Sequence, residues 1–198
     1  MEREIKIMVS EQDFSYCAKV LTELANPQIM LQTNYYYDTP DFRLNSLGNT
    51  LRVRQKNNDL VLQYKYEKCS SELIRMQKEF EVDIDKLPLH ISSKSLPYIG
   101  CNSEQIYVYI GCLVTERWNF VYNQEIVFLD KNYYMGKYDC EIEIEFQNFE
   151  NAKNILKLLK KDQVQCCELG KYERFVEELV NFNLIGTRID SIINLDNC

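Results

Sequence analysis

Segment after segment of this chain alternates charged with apolar residues, and the charged positions sort by sign from one segment to the next. The opening "EREIKIMV" sets the pattern, with Glu2, Glu4 and Lys6 on one parity and Arg3, Ile5 and Ile7 on the other. A period of two marks a β-strand, whose successive side chains point to opposite faces. Arg52 and Arg54 oppose Leu51 and Val53, while Gln63 and Lys65 oppose Leu62, Tyr64 and Tyr66. Arg75, Gln77, Glu79 and Glu81 oppose Ile74, Met76, Phe80 and Val82. Thr115, Arg117 and Asn119 oppose Val114, Trp118 and Phe120, and Glu141, Glu143 and Glu145 oppose Ile142, Ile144 and Phe146.

For any one strand, a solvated face backed by a packed face accounts for this. The set asks for more. One strand carries two arginines and another three glutamates, where a solvated face mixes its charges. If the sheet closes with its apolar parity outward beneath helices, the charged parity lines a tunnel. Like charges crowded at low dielectric repel, so such a lining is strained until a guest fills it. Guanidinium forks fit phosphate oxygens, and carboxylates are hard donors for Mg²⁺ or Mn²⁺. A polyphosphate carrying a divalent metal satisfies both halves.

The rest of the chain supplies the cover. Ser10, with Asp13 three residues on, reads as the N-cap of a helix running to about Leu24 and ended by Asn26-Pro27. A strand from Ile29 to Tyr37 closes at "DTPDF", and Asn57-Asn58-Asp59 joins "TLRVRQ" to "LVLQYKY" as a hairpin. Lys86 to Val108 reads as irregular with short helices. Strands resume at "CLVTERWNFVY", "EIVFLD" and "DCEIEIEF", and helices follow at about Glu150–Lys161 and Lys171–Val180. About eight strands in antiparallel succession, with helices after the first and last, predict an α+β fold built on an antiparallel barrel.

Composition bounds the function. With 198 residues, 45% of them hydrophobic, the chain suits one domain, and a net charge of −7 without a basic block excludes a duplex nucleic-acid footprint. No run of about 18 apolar residues occurs and the N-terminus is charged, so the chain reads as cytoplasmic and not membrane-bound. None of the eight cysteines forms a C-x-x-C pair, which favours reduced thiols over a zinc site. His90 is the one histidine, so a histidine-rich metal site is excluded.

Read in order, "EREIK", "YYDT", "LRVR", Lys65, "VTERW", Asp130, "EIEIE" and "GKYER" resemble the CYTH superfamily. These are the triphosphate tunnel metalloenzymes, including class IV adenylate cyclases and thiamine triphosphatases. The resemblance spans about residues 1–179. It implies an eight-stranded antiparallel tunnel and metal-dependent chemistry on a small triphosphate, in a monomer or homodimer. By the same resemblance Lys6, Arg52, Arg54, Lys65, Arg117 and Lys171 hold phosphates, with Arg75 and Glu79 in a looser pattern that also fits structural pairing. Glu2, Glu4, Glu141 and Glu143 are implied as ligands of Mg²⁺ or Mn²⁺, with Asp130 assisting and Glu145 either a ligand or a supporting group. Glu4, Lys6, Arg54 and Arg117 are the implied catalytic set, and Tyr37 and Asp38 the implied tunnel rim, with packing and ligand contact equally open for Tyr37. Gln63 departs from the pattern, which more often has a small hydroxyl residue there. The tunnel domain is expected over 1–183, with 184–198 a tail without a functional reading. Hydrolysis of tripolyphosphate or a small organic triphosphate is the first expectation. A cyclase making cyclic AMP from ATP and a non-catalytic polyphosphate-binding module are the alternatives.

Overall fold

The computed structural model describes residues 2–70, 74–96, 104–163 and 169–182, with the backbone alone at Glu2, 67–70 and Arg75. In chain order the elements are β1 (Glu2–Val9), α1 (Glu11–Thr22), β2 (Gln28–Asp38), α2 (Arg43–Ser46), β3 (Thr50–Lys56), β4 (Asp59–Ser70) and β5 (Arg75–Ile84). They continue with β6 (His90–Ser92), β7 (Ile106–Tyr122), β8 (Glu125–Tyr134), β9 (Lys137–Glu145), α3 (Phe149–Leu158) and α4 (residues 171–182). The sheet order is β2-β3-β4-β5-β1-β9-β8-β7-β6, and β2 also pairs with β7. That last pairing closes eight strands into an antiparallel barrel, with β6 added outside on β7.

Local chemistry sets the element ends. Ser10 Oγ accepts from the Asp13 amide at 3.0 Å and caps α1, and Asn148 Oδ1 accepts from Glu150 at 2.9 Å to cap α3. Two of the hairpins turn on pairs of residues with positive φ, Asn123-Gln124 and Met135-Gly136. That geometry matches the twist of the flanking strands. Of the expected elements, β7 begins earlier than the sequence suggested, at Ile106. The described part of the Lys86–Val108 segment holds a three-residue strand and one 3₁₀ turn instead of short helices. The expected tail at 184–198 lies outside the described residues.

Cross-strand register confirms which parity faces in. Residues directly opposite each other in an antiparallel pair share a face. Arg52 lies opposite Gln63, Lys65 opposite Glu79, Lys6 opposite Glu143, and Arg117 opposite Asp130. The apolar parity faces out. Ile5, Ile7, Leu129, Ile142 and Ile144 are at most 1% exposed, packed beneath Phe14, Cys17 and Leu21 of α1 and Ile155 and Leu156 of α3. Each such side chain contributes about 1.5–3 kcal/mol by leaving water. A second cluster covers the far wall, where Leu51, Val53, Leu62 and Tyr64 pack with Ile91, Leu96 and Tyr107.

The third cluster is inside. Tyr36 and Leu113 from the inner face meet Tyr134 and the α4 side chains Tyr172, Phe175 and Val176, so α4 fills one end of the barrel. This depends on Gly111, which sits opposite Tyr36 beside a register shift in the β2–β7 ladder. Its φ is +144°, and an added Cβ would lie 2.6 Å from the Phe175 ring. Gly111→Ala is therefore expected to destabilise the protein by about 2–4 kcal/mol. Phe175→Leu in the same background should recover only the packing part, since backbone strain remains. Thermal melts of the two single variants and the double variant measure both contributions.

Candidate active site

Two walls of opposite character face each other across the lumen. On β3 and β4 stand Arg52, Arg54 and Lys65. Lys65 Nζ is 3.3 Å from Glu79 Oε2, but Arg54 has no salt-bridge partner among the described residues. Burial, and then the charges of Arg52 and Arg117, push the Arg54 guanidinium down to about 9. A cation so placed is under strain that a bound anion relieves.

On β1, β8 and β9 stand the carboxylates. Asp130, Glu141 and Glu143 are buried, and each offers an oxygen within 4.8 Å of the others'. That spacing and the hard oxygen donors suit a divalent cation, yet the Lys171 ammonium stands among them. Its Nζ lies 2.9 Å from Asp130 and 3.2 Å from Glu143, and it contacts Glu141 as well. Arg117 takes both oxygens of Asp130, at 2.8 and 2.6 Å, and reaches Glu143 at 3.0 Å while lying 3.7 Å over the Phe128 ring. Arg174 closes the cluster on Glu141 at 2.6 Å and Asp139 at 2.9 Å. Burial alone would raise the Glu141 carboxyl, but Lys171, Lys6 and Arg174 override it and hold it down to about 2. Glu143 is likewise held well below the usual range by Lys6, Lys171 and Arg117 against the effect of burial.

Glu4 differs. Burial pushes its carboxyl up to about 7; Lys6, 3.2 Å away, opposes this, and the neighbouring Glu143 adds to it. Protonated Glu4 then shares its proton with Glu143, as two carboxyls held close must. Glu145 lies opposite Glu4 on β9 and also lines the lumen. Glu4 is therefore the carboxyl here that its neighbours leave raised, whereas Lys171 contacts Asp130, Glu141 and Glu143 together.

Most residues named from the sequence meet here: Arg52, Arg54, Lys65 and Glu79 on one side, and Glu4, Lys6, Arg117, Asp130, Glu141, Glu143, Glu145 and Lys171 on the other. Glu2 and Arg75 share the inward register, opposite Gln77 and Glu4, and their side chains lie outside the described residues. The rim expectation needs correction. Tyr37 points outward into the far-wall cluster and donates its hydroxyl to Pro88 O at 2.8 Å. Asp38 accepts the amides of Thr39, Leu44 and Asn45 and the Tyr172 hydroxyl, at 2.6–3.0 Å, so it pins α2 and α4 instead of meeting a guest. Sequence reasoning missed Tyr36, Asn34, Tyr172 and Arg174. Arg174 stands one helical turn after Lys171, and Asn34 and Tyr36 share a polar parity with Gln32; both signals were available.

This geometry sits on a chain whose residues 1–175 match the CYTH domain, and the protein belongs to that family. Among its relatives is YjbK of Bacillus subtilis (strain 168), which carries the name of a triphosphatase. The two are 29% identical over 184 residues, covering 90% of this chain and 95% of YjbK. The barrel also resembles HpAC1 from Hippeastrum, an adenylyl cyclase by name with a dominant triphosphatase activity. That likeness has a TM-score of 0.73 at 23% identity, over 90% of this chain and 96% of HpAC1. A Bacillus halodurans protein named as an adenylate cyclase matches with a TM-score of 0.60 and 25% identity, over 88% and 99% of the two chains. No described helix is long and apolar enough to cross a membrane.

The Glu4 carboxyl sets a pH signature. Its folded value, about 7, lies above the ordinary 4.5. The folded state thus holds a proton that the unfolded state has lost, and this contribution to stability fades as pH rises from 4.5 to 7. Its full size is on the order of 3 kcal/mol. Glu4→Gln keeps a neutral donor toward Glu143 at every pH. In EDTA it is expected to melt with the parent near pH 5 and above it beyond pH 7, as a pH series of thermal melts will register.

Proposed function

We propose that this protein hydrolyses a small triphosphate with the aid of a divalent metal. The observation that carries the reading is Arg54, a partly buried guanidinium without a carboxylate partner among the described residues, beside Arg52 and opposite an acidic wall. An inward cation left without a carboxylate among the described residues calls for an anion with several oxygens, and one that brings a metal also serves the raised Glu4 carboxyl. The family membership and the triphosphatase names of YjbK and HpAC1 support the same reading.

In this reading Arg52, Arg54 and Lys65 bind non-bridging oxygens along one side of the guest, and Lys6 and Arg117 face it from the other. Catalysis rests on positioning and on neutralising charge as it moves to the leaving oxygen, the general demand of phosphoryl transfer. Glu4 and Glu143, with Glu145 beside Glu4 across the ladder, would hold Mg²⁺ or Mn²⁺, which would supply charge neutralisation and a more acidic water. The hard carboxylate set fits either ion. Asp130, Glu141 and Lys171 set the electrostatic floor beneath it.

Inorganic tripolyphosphate is the decisive substrate, because it has no hydroxyl for internal attack and water is its sole nucleophile. Turnover with Mg²⁺ or Mn²⁺ is expected at a kcat/KM at least equal to that for ATP, with no more than traces of cyclic AMP from ATP. Cyclic AMP and pyrophosphate from ATP with tripolyphosphate left intact would establish a cyclase instead. Arg54→Ala removes stabilisation that grows in the transition state and should lower kcat/KM roughly 100-fold, without rescue by added metal. Glu143→Gln should lower kcat by a similar order and weaken activation by metal. Tripolyphosphate with Ca²⁺ should raise the melting temperature of the parent protein, and an unchanged melt at millimolar ligand would point to an unfilled polar interior.

A further inference from the structure

Arg52 and Arg54 enter the lumen by one construction, and neutral side chains flank it on both sides. Arg52 Nε donates to Gln63 Oε1 from β4 at 2.7 Å, and Arg54 Nε donates to Asn34 Oδ1 from β2 at 3.1 Å. Each amide lies directly across the ladder from its arginine. Both are buried, Gln63 at 4% exposure and Asn34 at 0%. An acceptor on Nε fixes the plane of a guanidinium and leaves its two terminal nitrogens pointing onward. Among the described residues, no side chain or carbonyl accepts a hydrogen bond from those ends. One terminal nitrogen of Arg52 is buried without a hydrogen-bond partner, and so is Nδ2 of Asn34. The carboxylate nearest to Arg52 is Glu79, at 4.0 Å, and it already serves Lys65.

We propose that Gln63 and Asn34 are positioning residues that aim the two guanidinium forks at phosphate oxygens while leaving their charge uncompensated, and that Asn34 adds its Nδ2–H to the same anion. This deepens the phosphate-binding reading of the lumen and rests on it. The choice of an amide follows from what each alternative would do. A carboxylate at either position would orient the fork equally well but would pair with it, and the guest would then have to displace an ion pair. An apolar side chain would leave the fork free to rotate and the Nε–H unsatisfied. On the β4 side, Gln63 Nε2 also donates to Glu81 Oε1. The amide is thus itself held by a carboxylate, with one neutral group kept between that negative charge and Arg52. The departure of Gln63 from the small hydroxyl expected at its position acquires a purpose: a hydroxyl is too short to bridge Glu81 and Arg52.

The test is calorimetric titration of inorganic tripolyphosphate into the full chain in EDTA, which reads the cationic wall without requiring turnover. Asn34→Asp and Gln63→Glu keep shape and acceptor while adding charge; Asn34→Leu and Gln63→Leu remove the acceptor. Circular dichroism and melts establish which variants fold. All folded variants are expected to bind at least about tenfold more weakly than the parent, with KM rising by the same factor. A role in packing alone would leave the near-isosteric Asn34→Asp and Gln63→Glu binding as the parent does, and that result overturns the proposal. Should one site tolerate no substitution, the other decides. The parent supplies a second measurement by NMR: the Nε–H protons of Arg52 and Arg54 should be protected from exchange before ligand is added, and exchange at the free-solvent rate would also overturn it. A parent that binds tripolyphosphate without hydrolysing it would sink the triphosphatase reading alone. A parent that hydrolyses it while the folded acidic variants bind normally would sink this one alone.

Discussion

A barrel that turns its charged parity inward has to pair its carboxylates across strand boundaries, because a single unpaired charge in such an interior costs several kcal/mol. Lys171 is where this constraint is met. One ammonium contacts carboxylates from β8 and β9, and it arrives from α4, outside the sheet altogether. With Lys6 and Arg174 it allows Glu141 to remain ionised while buried. Lys171 thus ties α4 to the carboxylates of β8 and β9 at that end of the lumen. The aromatic packing of Phe175 on Gly111 and the hydroxyl of Tyr172 on Asp38 then fix the helix that carries it.

The opposite wall obeys the reverse rule. Arg54 is left without a carboxylate where Glu143 has three cations around it. The asymmetry separates a structural charge network from a receptive one. Fully compensated groups hold the barrel in shape, and the under-compensated Arg54 and Glu4 face the space where a guest and its cation belong. Removing a residue from the first set threatens the fold, whereas removing one from the second relieves strain in the ligand-free protein and weakens binding.

The inward face was legible because charge carries sign and sign can be read at period two. Arg52 and Arg54, Glu141 and Glu143, and the order of motifs around them gave both the closed sheet and most of the lumen. Neutral polar residues carry no such mark. Asn34 and Gln63 looked like ordinary strand residues until their cross-strand partners were known. The run Tyr35-Tyr36-Tyr37 is uniform in itself, and only its continuation of the Gln32-Asn34 parity marks Tyr36 as facing the lumen and Tyr37 as part of the outer packing. Asp38 was set at the rim because nothing in the sequence shows three backbone amides folding back upon it.

The pairing of β1 with β9 joins the first strand of the chain to the last strand of the barrel. Glu4 and Glu143, the two carboxylates that share a proton, come from those two strands. A chain emerging from the ribosome can zip β3, β4 and β5 together as local hairpins. In the native sheet β1 lies between β5 and β9, so it has both its neighbours only once β9 has been made. The barrel therefore closes late, through contacts of long sequence separation that fold slowly. An incomplete chain can present arginines to solvent but cannot build the acidic wall, so the pocket that concentrates charge comes into being only when synthesis of the domain is almost finished.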